Sequence, residues 1–238
     1  MKPKDSPKER GIRGAQTSRI ISFEPIPEAA AEIRKKAKND PLWSVEELAL
    51  ADTAEPRVFH VMAGSEFSSL SAPRNDEVDR FASMNRPVRS IMVQAETLAN
   101  AFLRLQDRYG FQRPFLKMDT QGFDVAVLRG ADGTLPQFMG FQSELSIRRI
   151  YEEAADFREA ITFYQSLGFA LSAFVPNNAG HFPALIEIDC IMVRRDLMAD
   201  ALRFQGKPGE VIPHPAAFTR PTETREAERG RTSQGVAT

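Results

Sequence analysis

Lys117 and Asp119 stand two residues apart at the end of the apolar run in "FLKMDTQG". On a strand, positions i and i+2 share a face, so both side chains point the same way. A carboxylate there can position a hydroxyl or take its proton, with the ammonium orienting a substrate or balancing charge. A plainer reading makes Asp119 or Thr120 the N-cap of the helix that follows Gly122, with Lys117 as its ion-pair partner. Glu24 closes another apolar run, "RIISFEP", just before a helix. It suits a carboxylate that accepts from both hydroxyls of a ribose, and equally a solvated carboxylate at a helix N-terminus. Glu144, in "FQSELSI", lies on a neighbouring strand end, where it either meets Asp119 or pairs with Arg148 or Arg149. His60, His181 and His214 lack ligand spacing, so no metal is expected. Ser68 and Ser69 have no GxSxG context, and Cys190 sits within an apolar strand as a core residue.

The elements that must position these groups alternate between strand and helix. Strands are expected over residues 18–23, 43–52, 57–64, 86–96, 114–119 and 138–147. Ile26, Ala30, Ile33 and Ala37 trace one helix face, with Pro27 in the first turn. Leu98, Phe102, Leu105 and Tyr109 trace a second, and Phe157, Ile161 and Tyr164 a third, ended by Gly168. "ALSAFVP" and "ALIEIDCIMVRRD", joined by the turn-rich "NNAGHF", should close the fold as an antiparallel hairpin. The segment 65–86 reads as a loop or lid. Such alternation predicts a doubly wound, mostly parallel α/β sheet whose ligands sit beyond the carboxyl ends of its strands. Residues 1–17 read as a disordered arm, 18–202 as the domain, and 203–238 as a disordered tail.

Composition bounds the function. The 238 residues are 42% hydrophobic and 26% charged, with a net charge of −1 and one cysteine. That excludes a broad field for nucleic acid or anionic lipid and an internal disulfide framework. The opening "MKPKDSPKERG" has no apolar signal core, and no apolar run approaches the roughly 20 residues that span a bilayer. A cytoplasmic protein that contacts neither membrane nor nucleic acid is expected.

Taken together, "RIISFEPIPEA", "LALAD", "SSL", "FLKMDTQGFDVAVLRGA", "FQSELS" and "EIDCIMVRRD" resemble the FkbM-type methyltransferase family, in the family's order over residues 18–196. The resemblance implies a methyltransferase-like (Rossmann-like) fold and S-adenosyl-L-methionine as cofactor. Its implied activity is O-methylation of a hydroxyl on a small molecule or sugar. It places Glu24 and Pro25 on the cofactor ribose and Ala49–Leu50 near the adenine. Asp119, then Glu144, would be catalytic, with Lys117, Gln121, Ser68 and Ser69 on the substrate side. Asp124 stands where the family often has glutamate. Nothing in residues 1–17 matches the family's first strand and its glycine-rich turn; Gly11 and Gly14 follow no strand. The domain is therefore expected to be incomplete at its N-terminus and poorly stable alone. A homo-oligomer or a partner chain would then cover the missing strand. The alternatives are an inactive remnant or pairing subunit of the same fold, and a nucleotide-sugar or NAD enzyme. The last should carry a phosphate-binding glycine loop, and none is visible.

Overall fold

A computed structural model describes residues 19–176 and 183–203. β1 (Ile20–Phe23) leads through Glu24 into α1 (Pro27–Ala37), with Pro27 in the first turn and three basic residues in the last, where they oppose the helix dipole. β2 (Trp43–Glu46) returns parallel to β1, and Trp43 Nε1 donates to Ser22 Oγ at 2.9 Å. The run 43–52 is not one strand. It breaks after Glu46, and β3 (Ala49–Ala51) is buried at every position, as befits small apolar side chains covered on both faces.

β4 (Arg57–Met62) and β5 (Pro87–Val93) form an antiparallel pair, where a parallel arrangement was expected. Most of β5 is exposed, so this pair needs no helix across its outer face. The segment between them holds two 3-10 turns, Ser65–Phe67 and Asp79–Phe81. β6 (Ala95–Thr97) pairs parallel with β3. α2 (Leu98–Tyr109) follows, its first turn capped by Thr97, whose Oγ1 accepts from Asn100 N at 3.2 Å. Arg104 on α2 bonds Glu46 at 3.0 Å and Glu96 at 2.6 Å, tying β2 to β6.

β7 (Phe115–Lys117), α3 (Asp124–Arg129), β8 (Gly140–Ser146), α4 (Phe157–Ser166), β9 (Phe169–Val175) and β10 (Glu187–Arg194) complete the sheet that carries the site. Its order is β7-β8-β10-β9: β7 is parallel to β8, and the other two pairs are antiparallel. The closing antiparallel hairpin is thus present as β9 and β10, although its "NNAGHF" turn lies outside the described residues, as do the arm (1–17) and the tail beyond 203. α5 (Arg195–Arg203) is a helix that begins inside the expected strand, which ran to Asp196, and continues through residues to which no element was assigned. Arg194 ends the strand by pairing with Asp196 and donating to Pro136 O at 2.7 Å.

Register sorts the side chains. Phe141, Leu145, Cys190 and Met192 face a core shared with Phe102, Leu105, Val127 and Leu128. There Phe141 sits edge-on to Tyr164 and Phe169 at 5.0 and 4.9 Å. α3 approaches β3 so closely that a Cβ on Gly130 would lie 2.2 Å from Ala51 O. Pairing divides into four separate sheets rather than one mostly parallel sheet. Among the described residues β1 has only β2 as a strand neighbour, and β7 only β8. No described helix is long and apolar enough to cross a membrane.

Candidate functional site

β7 stops at Lys117, and after Met118 the chain leaves the sheet in a tight turn. Lys117 Nζ meets Asp119 Oδ2 at 2.9 Å. Gln121 Nε2 donates to Asp119 Oδ1 at 2.9 Å and to Glu144 Oε2 at 3.3 Å. One amide therefore links the two carboxylates that the sequence placed on separate strands. Gln121 holds this pose with φ 54°, a left-handed conformation uncommon for a residue with a side chain. Two outside contacts fix it. Tyr151 OH lies 2.9 Å from Gln121 Oε1 and 3.0 Å from Phe67 O, and Ser69 Oγ donates to Gln121 O at 2.8 Å. Strain of this kind persists only where the surroundings over-determine it. Ser68 is turned elsewhere, its Oγ accepting from Met62 N at 3.1 Å.

The N-cap reading of Asp119 and Thr120 is not realised. The N-cap of α3 is Phe123, without a side-chain cap bond. The carboxylate of the turn is Asp124, fully buried, and it works in the opposite direction. It accepts from Thr120 Oγ1 and from Thr120 N at 3.2 Å, from Ser143 Oγ at 2.7 Å and from Glu144 N at 3.0 Å. Asp124 thereby fastens the turn carrying Asp119 to the strand carrying Glu144. Burial raises its carboxyl above the ordinary range, against these four donors.

The Methyltransferase FkbM domain matches residues 7–171. The chain belongs to the FkbM methyltransferase family. No curated protein and no solved structure matches it. The FkbM span includes the Asp119–Gln121–Glu144 network and Tyr151, and it ends before β10.

The remaining expected residues of this FkbM chain lie just after β1 and on β3. Glu24 follows β1, and its Oε1 accepts from Ile26 N at 2.9 Å. Half-buried, its carboxyl is raised, chiefly by desolvation. Pro25 leads from Glu24 to Ile26. Ala49 and Leu50 are buried on β3. No hydrogen bond or ion pair among the described residues joins Glu24 to Asp119. The link is packing: Ile26 and Leu70 lie against the cluster of Ala49, Phe59 and Val93, and Leu70 also meets the main core. Leu70 adjoins Ser69, which holds Gln121.

Glu144 is neither exposed nor paired with Arg148 or Arg149; Arg149 faces Glu77 at 3.9 Å. Burial first, then the charges of Glu187, Asp119, Asp124 and Asp189, raise its carboxyl well above the ordinary value. Burial likewise pushes the Cys190 thiol up to about 12, as expected of a core thiol. Sequence reading missed Tyr151, the tethering role of Asp124, and the carboxylates Glu187 and Asp189. The "EID" spacing carried a signal for the last two. Two acids at i and i+2 in an apolar strand repeat the Lys117/Asp119 pattern.

Proposed function

We propose that this chain is an S-adenosylmethionine-dependent methyltransferase acting on a hydroxyl of a small molecule or sugar. The observation that carries the reading is the linked pair Asp119–Gln121–Glu144 at the end of β7, held by a strained turn. The three parallel ladders are read with it as parts of a doubly wound sheet whose strand ends form the site.

The residues near β1 and β3 fit the cofactor. Glu24 spends one oxygen on Ile26 N, and its other oxygen has no bond among the described residues. A half-buried carboxylate in that state is stabilised by hydroxyl donors such as those of a ribose. By the family resemblance Ala49 and Leu50, both buried on β3, would lie near the adenine. S-adenosylmethionine, when bound, supplies a methyl group activated by a sulfonium. The chain's own residues do the rest. Asp119 accepts the proton of the acceptor hydroxyl, and Lys117 and Gln121 hold that carboxylate in one rotamer. Glu144, its carboxyl raised by burial and by the neighbouring acids, is joined to Asp119 through Gln121 and stands on the acceptor side of the site. Ser69, with Tyr151, keeps the turn rigid, so orientation is established before reaction.

Calorimetric titration with S-adenosylmethionine tests the reading; absence of heat in a folded sample would end it. Asp119→Asn is expected to lower methyl transfer by about 10²-fold or more while leaving cofactor affinity within about twofold, since among the described residues no hydrogen bond or ion pair joins it to Glu24. Full activity of that variant would assign Asp119 to the structure of the turn. Among the described residues β1 and β7 each have a single strand neighbour, which favours a second reading, a non-catalytic partner of the same fold; the same titration separates the two.

A further inference from the structure

β10 presents a second set of carboxylates to the face on which Glu144 stands. In the antiparallel ladder Asp189 lies opposite Glu144, and Glu187 opposite Ser146. In the parallel ladder Lys117 lies opposite Gln142. Alternation therefore puts Lys117, Gln142, Glu144, Glu187 and Asp189 on one face, away from the core side chains Phe141, Leu145, Cys190 and Met192. Asp189 accepts from Gln142 Nε2 at 2.7 Å. Glu187 differs. It is only 6% exposed, and among the described residues its carboxylate has neither a hydrogen-bond donor nor a cation. Its neighbours Asp119, Asp124 and Asp189 all carry the same sign. Tyr151 stands beside it but is turned to Gln121 Oε1 and Phe67 O.

A largely buried carboxylate with no donor among the described residues forfeits most of its hydration and gets little in return. The one described cation on this face, Lys117, is engaged by Asp119. The missing component is thus a positively charged group with several N–H donors. A metal ion matches less well: among the described residues no three His, Cys, Asp or Glu side chains are placed to hold one. We propose that this face seats an organic ammonium group of the methyl acceptor, with Glu187 as its main hydrogen-bond partner and Asp189 beside it. The assignment to the acceptor rests on the methyltransferase reading, in which the Asp119 side of the site takes the acceptor and Glu24 the donor. The binding itself does not rest on it. The substrate class is then an amino sugar or amino alcohol rather than a neutral polyol.

The test uses paired probes that differ in charge, with the full chain and no methyl donor. Glucosamine is compared with glucose, and ethanolamine with ethylene glycol, by calorimetry and by ligand-induced thermal shift. One charge-assisted hydrogen bond should favour each amine by about tenfold or more. Glu187→Gln should remove most of that preference. Because the variant deletes an uncompensated charge, it should fold at least as stably as the parent. The wild-type comparison stands even if it does not fold. Equal binding of charged and neutral probes, no binding of either amine, or an unchanged preference in Glu187→Gln would overturn the proposal. So would a response to magnesium or calcium alone that matched the response to the amines. Competition between glucosamine and S-adenosylmethionine would move the ammonium from acceptor to donor and overturn the substrate class. S-adenosylmethionine binding without amine binding would remove this proposal and leave the methyltransferase reading. Amine binding without S-adenosylmethionine binding would do the reverse.

Discussion

Gln121 and Gly122 determine whether the turn after β7 exists at all. Gly122 has φ 83°, and a Cβ there would lie 2.9 Å from Tyr151 Cβ and Cδ2. Gly122→Ala therefore meets both a left-handed backbone and a side chain that cannot retreat without releasing Gln121. Strain and overpacking together should cost about 3 kcal/mol, read from urea unfolding; a loss below about 0.5 kcal/mol would show that the turn relaxes freely. At this scale much of the site was legible. Lys117, Asp119 and Glu144 were readable as candidates because each is a charged residue ending an apolar strand, but a cap or an ion pair explained them equally well until the fold showed their partners. Tyr151 was not, since a tyrosine after "SIRRI" looks like any other half-apolar residue until the fold brings it to Gln121. Asp124 was visible as an acid in a helix's first turn. Its service to Thr120 and Ser143 depends on β8 passing alongside.

Helices were more legible than strand partners. The 3.6-residue stripes located α1, α2 and α4 because each buries one face against the core. α4 also carries a capping box: Asp156 Oδ1 accepts from Arg158 N at 2.9 Å, and Glu159 returns to Asp156 N at 3.3 Å. Asp156→Ala should cost about 1 kcal/mol, seen as a lower urea midpoint with unchanged slope. No change would mean that Tyr164 and Ala160 packing alone sets the start of α4. β4 and β5 show the limit of local reading. Each run signals a strand, but nothing local says that they pair with one another and antiparallel. β2 and β3 show it again, since a break of two residues sends adjacent runs to different partners.

At the scale of the molecule, the dominant electrostatic fact among the described residues is a surplus of buried acid. Burial raises the carboxyls of Glu24, Asp124, Glu144 and Glu187. The unfolded chain loses these protons near pH 4.3, while the folded chain keeps them to higher pH. The folded state therefore binds more protons in between, and stability falls as pH rises from that value through the raised folded ones. Glu28, Asp76 and Asp196 shift the opposite way, but they are exposed ion pairs that contribute little. The melting temperature should be roughly 3 °C or more higher at pH 5.5 than at pH 8.5. Glu187→Gln should flatten that slope, and a melt that rises with pH would contradict the account. By itself the sequence determined three helix faces, most of the strand runs though not their breaks, the acids at strand ends and the family, because periodicity and residue type act locally. Only the tertiary structure decided which strands pair, that Asp119 and Glu144 share one amide, and that Glu187 is buried without a donor. Those facts depend on what lies across a ladder, and chain order does not record it.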